Sequence, residues 1–330
     1  MNRRLLGCGL VLLGLLAWPL TCPAPLIYRP GEGWTYEAVG GAKWVRARAK
    51  EQYDVAKSAF DKKQYRLAIK AARRTVKRWP TSDYVAQAQY LIGRCYEARR
   101  MDERAFKEYQ ILVEKYPKFD GYQEVLQRQY AIANRYLAGQ WFKLWGYIPF
   151  FPSMEKTADM YAKLIHSGPY SDIAPQAQLK IGSAREKQKD YPLAVKAYEK
   201  AADVYHDQAK IAAEATYRAG KAYYKQAQTG EYDQSAAASA IDTFNNFMAL
   251  YPNDPRVPEA RTIIAKLRTE QAHGSYEIAR FYEQRRQWQG ALVYYNEVLV
   301  KDADSNYAAI ARRRIEALKK RIETKKTAER

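Results

Sequence analysis

Residues 89–117 read QYLIGRCYEARRMDERAFKEYQILVEKYP, which is the pattern of two short helices joined by a tight turn. A small residue in the first helix lets the second approach closely, an aromatic side chain fills the gap beside it, and a proline ends the second helix. The positions that carry this pattern are Gly93, Tyr96, Ala105, Tyr109 and Pro117. The stretch therefore predicts a closely packed helix pair.

The same spacing recurs along the chain, and such recurrence indicates a repeat architecture. It returns in residues 178–206 and 275–298, and in a weaker form in residues 56–80. The pattern resembles the tetratricopeptide repeat, a unit of about 34 residues that consists of two helices. We therefore predict an all-α fold, a tetratricopeptide-like helical repeat solenoid over residues 44–323, with about six helix pairs and a final helix near 305–323.

Two of the predicted helix pairs contain extra residues between their helices. One insertion lies around residues 226–234, and the other, residues 139–152, is rich in aromatic side chains. The aromatic residues proposed for a docking loop are Trp141, Phe142, Trp145, Phe150 and Phe151. Two interpretations stay open: the loop folds back over a groove between helices, or it is a docking patch for a partner or a membrane surface.

The first residues have the features of an export signal. Arg3 and Arg4 precede residues 5–20, which carry no charge and are short for a membrane-spanning helix of roughly 20 apolar residues. We assign residues 1–22 to a signal peptide. Residues 23–43, which contain several prolines, glycines and aromatic residues, are expected to form an extended tether.

Cys22 is a candidate lipidation site. Bacterial lipoproteins are cut directly before a cysteine that then carries the lipid, and the preceding residues Pro19 to Thr21 partly resemble that cleavage box. Ordinary cleavage near Ala24 is the alternative. The sequence therefore predicts an exported protein and leaves its membrane anchor open.

The chain is strongly basic, with 55 Lys and Arg residues against 36 Asp and Glu residues and a net charge of +19. Most of the excess lies in residues 43–78 and 312–330, and the latter include a predicted basic tail at 324–330. These stretches are either solvated helix faces or surfaces for phosphate groups or an acidic partner.

The sequence contains none of the motifs that mark common catalytic or cofactor sites. It has no GxxxxGK[ST], HExxH or GxSxG segment, no CxxC and no cluster of Cys and His. We therefore expect no enzyme activity, no cofactor and no metal. We also expect no nucleic-acid binding, because the protein is exported and lacks a base-stacking or groove-reading motif. Stacked helical repeats can hold a peptide or another domain, which favours a binding role.

Three further stretches carry a family resemblance. They are YRLAI at 65–69 with RWPTSDY at 78–84, the segment from Phe244 to Pro255, and YEIARFY at 276–282 with Arg285 and Trp288. Together with export and the repeats, they resemble the BamD family of outer membrane protein assembly factors, which are lipoproteins of Gram-negative bacteria. The resemblance covers most of residues 44–320.

The resemblance implies a non-catalytic scaffold of the outer membrane β-barrel assembly machinery. It implies binding to the barrel-inserting protein, to other assembly lipoproteins and to unfolded outer membrane proteins. The expected location is the periplasmic face of the outer membrane, lipid-anchored if Cys22 is modified and otherwise periplasmic. The alternative function is a periplasmic repeat adaptor for another envelope or cell-wall complex.

The resemblance also implies two binding surfaces. The residues expected to contact the barrel-inserting partner are Arg285, Tyr282 and Trp288. Those expected to line a substrate groove are Tyr65, Trp79, Tyr84 and Tyr90. For Arg285 the alternative is a solvated residue at a helix end, and for the groove residues it is ordinary packing between helices.

Overall fold

The computed structural model describes residues 26–29, 33–36, 44–144, 148–229 and 234–328. This part of the chain forms thirteen helices: α1 (Ala49–Asp61), α2 (Tyr65–Arg78), α3 (Tyr84–Ala98), α4 (Asp102–Lys115), α5 (Tyr122–Leu137), α6 (Met154–Ser167), α7 (Ala174–Lys187), α8 (Tyr191–Val204), α9 (Ala209–Ala227), α10 (Gln234–Leu250), α11 (Val257–Gln284), α12 (Trp288–Lys301) and α13 (Asn306–Ala328). The helices form six consecutive pairs and a final helix. The predicted all-α helical-repeat class is confirmed.

Two short antiparallel hairpins accompany the helices. Strands β1 (Leu26–Arg29) and β2 (Gly33–Tyr36) pair within the segment for which we expected an extended tether. Strands β3 (Phe142–Leu144) and β4 (Ile148–Phe151) pair within the aromatic insertion. Within the described residues this insertion is therefore a two-stranded hairpin.

The chain divides into two compact units, Met1–Leu112 and Val113–Arg330. The first unit contains α1 to α3 and most of α4, and the second contains the remaining helices. In both units alanine is the most frequent buried residue, and larger aliphatic and aromatic side chains fill the space between the alanines. Small and large side chains in contact let neighbouring helices pack at the density of a protein interior.

The helix pairs are held by close contacts between a glycine in the first helix and an aromatic ring in the second. Three pairs share this contact: Gly93 with Tyr109, Gly182 with Tyr198, and Gly220 with Phe244. A Cβ atom on Gly93 or Gly182 would lie 2.3 Å from a ring carbon, which is far inside van der Waals contact. All three rings are fully buried. The small and aromatic residues of the sequence pattern are therefore the residues that form this contact.

A second contact, which we did not identify from the sequence, repeats in three helix pairs. The hydroxyl of the second-helix tyrosine donates to a glutamate twelve residues earlier: Tyr109 to Glu97 at 2.8 Å, Tyr198 to Glu186 at 2.7 Å, and Tyr295 to Glu283 at 2.7 Å. Burial raises the pKa of the Tyr198 and Tyr295 hydroxyls, so both stay protonated donors at neutral pH. A glutamate twelve residues before a repeat tyrosine is the signal that would have revealed the bond.

The turns inside four of the helix pairs share one backbone conformation. Each has a basic residue in the left-handed region, with φ between 56° and 62°: Lys63, Arg100, Lys189 and Arg286. The strain of this conformation for a residue other than glycine is compensated by the packing of the two helices that the turn joins.

Glycine-to-alanine substitutions distinguish close packing from ordinary helix propensity. Gly182→Ala is expected to lower the free energy of unfolding by about 1–3 kcal/mol, because the new methyl group overlaps the buried ring of Tyr198. Gly274→Ala is the matched control: the added Cβ would have its nearest neighbour at 3.5 Å, so alanine is expected to stabilise helix α11 by up to about 1 kcal/mol. Urea unfolding followed by circular dichroism measures both changes. Equal effects of the two substitutions would contradict the packing argument.

The final helix extends beyond its predicted end. Helix α13 continues to Ala328, so the described part of the predicted basic tail is helical. Residues 306–328 contain neither glycine nor proline, which explains why the helix does not end near residue 323. Of the helices in the described ranges, none combines the length and the apolar character needed to cross a membrane.

Candidate functional site

The residues predicted to bind a partner meet where helix α11 ends and helix α12 begins. Arg285 is the C-terminal capping residue of α11, and the left-handed Arg286 turns the chain into α12. The backbone N–H of Gln287 closes this turn on the carbonyl oxygen of Tyr282 at 3.0 Å. Trp288 is the first residue of α12. The turn thus brings Tyr282, Arg285 and Trp288 close together.

The exposed part of this turn region is the Arg285 guanidinium, which lies over the ring of Phe281. The Arg285 guanidinium carbon lies 4.0 Å from the ring centre of Phe281, whose side chain is 47% exposed. Within the described chain Arg285 forms no ion pair. The residue is exposed, so its guanidinium N–H groups can donate to a partner. Phe281 is a member of this surface that the sequence analysis missed, although it lies inside the quoted YEIARFY segment.

Tyr282 and Trp288 are half-buried, and their rings pack against residues of α12 and α13. The ring of Tyr282 stacks on that of Tyr294, with centres 5.3 Å apart, and it lies against Gly290 of α12. Arg321 of α13 lies over the ring of Trp288 at 5.6 Å. These contacts hold the end of α11 against α12 and the start of α12 against α13. We call Phe281, Tyr282, Arg285 and Trp288 the C-terminal surface.

The four residues predicted to line a substrate groove lie along the first unit but do not form one pocket. Tyr65 is at the start of α2 and Trp79 directly follows its end. Because α2 has 14 residues, these two side chains are anchored about 20 Å apart. Trp79 is near the start of α3, where Tyr84 stacks on Tyr53 of α1 with ring centres 5.9 Å apart.

Tyr90 and Tyr65 are connected through two other side chains. The guanidinium of Arg94 donates to the Tyr90 hydroxyl at 3.1 Å and lies 5.6 Å from the ring centre of Phe60. Phe60 in turn meets Tyr65 edge to face at 5.7 Å. All four tyrosine and tryptophan residues are only partly buried. They lie in two groups, Tyr84 with Tyr53 and Tyr65 with Phe60, Arg94 and Tyr90, while Trp79 follows the end of α2. We call these residues together the N-terminal strip.

The aromatic hairpin consists of β3, β4 and the preceding Trp141, and its aromatic side chains differ in exposure. Phe142 is buried and stacks on Tyr136 of α5, with ring centres 4.1 Å apart. Lys156 lies 5.1 Å from the ring of Phe142 and 5.2 Å from that of Phe151. Trp141 and Phe151 remain 51% and 37% exposed. Trp145 and the side chain of Phe150 lie outside the described residues. Both interpretations of the segment therefore stay open.

Cys22 and the rest of the predicted signal peptide also lie outside the described residues. In the body of the chain Cys95 is buried in α3, and burial raises the pKa of its thiol to about 12. Such a thiol is protonated at neutral pH and acts as a small packing residue. Among the described side chains, no group of three or more His, Cys, Asp or Glu residues could hold a metal ion.

Comparison with known families gives two matches. A model of the YfiO family, described as outer membrane lipoprotein, matches residues 153–330, which is more than half of the chain. A tetratricopeptide-repeat model matches residues 53–118. The second match confirms the repeats predicted in the first unit, and the first covers the C-terminal surface. No curated protein matches the sequence.

Solved helical-repeat structures show a distant likeness. The C-terminal part of a tetratricopeptide-repeat protein from Cytophaga hutchinsonii is 15% identical, with a TM-score of 0.35 over 80% of this chain and 87% of that one. A tetratricopeptide-repeat protein from Parabacteroides merdae is 12% identical, with a TM-score of 0.32 over 82% of this chain and 98% of that one. At these TM-scores neither structure carries an argument about function.

Proposed function

This chain belongs to the YfiO family of outer membrane lipoproteins, and from that premise we propose that it is a non-catalytic scaffold of the machinery that assembles β-barrel proteins in the outer membrane. Its repeats suit this task because stacked helix pairs present long surfaces to other proteins. The proposal rests above all on the family match, which covers the C-terminal surface.

The C-terminal surface is the proposed contact with the barrel-inserting protein. Arginine and aromatic side chains, phenylalanine included, are enriched in the cores of protein–protein interfaces. Phe281 and Arg285 offer both at one exposed point, and the stacking of Tyr282 beneath them limits the entropy lost on binding. Other assembly lipoproteins are expected to join the same complex.

The N-terminal strip is the proposed contact with unfolded outer membrane proteins. Its partly exposed rings offer apolar area and its Arg94 offers hydrogen-bond donors, which suits an extended chain with aromatic side chains. The strip spans residues 53–94, inside the region matched by the tetratricopeptide-repeat model.

A lipid on Cys22 is the proposed anchor to the periplasmic face of the outer membrane. One acyl chain binds a membrane only weakly, so stable anchoring takes a second contact or a second chain. The exposed Trp141 and Phe151 of the aromatic hairpin are the proposed additional contact with the membrane or a partner.

Site-specific photo-crosslinking tests the proposed partner surface. A benzoylphenylalanine at position 281 is expected to form an adduct with a large outer membrane barrel protein when cells are irradiated. Position 170 is the control. Tyr170 is 99% exposed and lies in a different turn, between α6 and α7, far from the C-terminal surface in the sequence. Absence of a barrel adduct at position 281, or equal adducts at both positions, would argue against the proposal.

A further inference from the structure

A groove of about 600 Å³ lies in the second unit, between the first helices of three consecutive pairs. Helices α5, α7 and α9 form its walls. Its charged lining consists of Lys180, Lys187, Arg218 and Lys225 against the single carboxylate of Glu186. A groove of this size is large enough for a short segment of extended polypeptide.

Part of this positive charge has no carboxylate partner among the described residues. Lys225 pairs with Glu186 at 3.2 Å, and Arg218 pairs with Glu214. Lys187 donates to the carbonyl oxygen of Leu137 at 2.7 Å, which satisfies a hydrogen bond but brings no negative charge. Lys180 is half-buried and forms no ion pair among the described residues. The groove therefore has an excess of positive charge at Lys180 and Lys187.

The four cations of the groove form two pairs with the same spacing, one pair on each of two helices. Lys180 and Lys187 are seven residues apart on α7, and Arg218 and Lys225 are seven residues apart on α9. Seven residues are two helical turns, or about 10 Å along each helix. In a polyproline II conformation, side chains three residues apart lie on the same side of the chain and are separated by about 9 Å. The two spacings match.

We propose that this groove binds an extended polypeptide segment of another protein that carries two acidic side chains three residues apart. The two carboxylates meet Lys180 and Lys187, where the excess positive charge lies, and the uncharged Asn134 and Ser183 belong to the same lining. A nucleic acid is a poorer fit. Single-stranded nucleic acids need exposed aromatic rings for base stacking, and the ring of Tyr130 in this groove is half-buried against Tyr161 at 5.9 Å.

The test uses the full-length protein and a dye-labelled, amidated twelve-residue peptide of Gly, Ser and Pro that contains two Glu three residues apart. Fluorescence anisotropy at low salt is expected to show binding that weakens as salt is added. A peptide with Gln in place of both Glu is expected to bind at least about tenfold more weakly. A peptide with the two Glu adjacent tests the spacing and is expected to bind more weakly than the first.

Charge-reversal variants locate the site. Lys180→Glu and Lys187→Glu are each expected to weaken binding of the acidic peptide by about tenfold. Lys196→Glu makes the same change in charge at an exposed position of α8, outside the groove, and is expected to change the affinity by less than about twofold. Thermal melting of all three variants tests whether each one remains folded.

Three results would overturn the proposal. The first is equal binding of the Glu and Gln peptides, and the second is equal loss of affinity in all three variants. The third is tighter binding of a single-stranded oligonucleotide than of the acidic peptide, because this would assign the groove to nucleic acid. None of these results bears on the C-terminal surface, so the proposed scaffold function would stand.

Discussion

Replacing Tyr109 with alanine is expected to lower the free energy of unfolding by about 3–5 kcal/mol, a large effect for a single substitution. The ring of Tyr109 is fully buried, packs against the backbone at Gly93, and carries the hydroxyl that donates to Glu97 at 2.8 Å. Its removal leaves a cavity between α3 and α4 and a carboxylate without this donor. Urea unfolding, followed by circular dichroism, measures the loss.

Two further variants separate the ring from the hydroxyl and from general effects of losing a tyrosine. Tyr109→Phe keeps the packing and removes one hydrogen bond, so a loss of about 1 kcal/mol is expected. Tyr170→Ala removes a side chain that is 99% exposed, and the change should stay within about 0.5 kcal/mol. If Tyr109→Ala were no more destabilising than Tyr170→Ala, the contact between glycine and aromatic ring would not hold the helix pair together.

Arg285→Ala is expected to weaken the complex with the barrel-inserting protein about 30-fold or more, as is typical for a residue that dominates an interface. Arg285 is exposed and its guanidinium rests on Phe281, so its loss should leave the fold unchanged. The amount of barrel protein that co-purifies with the tagged variant, measured by quantitative mass spectrometry, reports the loss.

Two arginine variants control this experiment. Arg313→Ala removes another exposed arginine, on α13, and is expected to retain the complex. Arg285→Lys keeps the charge but loses the planar guanidinium that stacks on Phe281, so an intermediate affinity is expected. If Arg285→Ala and Arg313→Ala co-purify equal amounts of the barrel protein, Arg285 is a solvated residue at a helix end.

The repeat fold was predictable because its packing requires particular residue types at fixed intervals. A glycine opposite a buried tyrosine cannot be replaced without overlap, as Gly93 and Tyr109 show, and this requirement is visible in the sequence. The bond from Tyr109 to Glu97 has the same regularity, but glutamate is also common on exposed helix faces. Its position alone therefore does not separate a buried partner from a solvated one.

The binding surfaces were predictable only in part, because exposure depends on tertiary contacts. The sequence does not distinguish Phe142, which is buried on Tyr136, from Trp141, which is half exposed. The basic groove joins residues from three helices, so no local motif marks it. The Phe281–Arg285 contact spans one helical turn, and that four-residue spacing within the quoted segment could have revealed it.

The central claim is that this chain holds a barrel-inserting protein within an outer membrane complex. The most direct test is affinity purification of the tagged, full-length protein from its own membranes in a mild detergent, followed by mass spectrometry of the co-purified proteins. The account predicts recovery of a large outer membrane barrel protein with periplasmic domains. Recovery of cell-wall factors instead, or of no partner, would contradict the claim and favour a periplasmic adaptor.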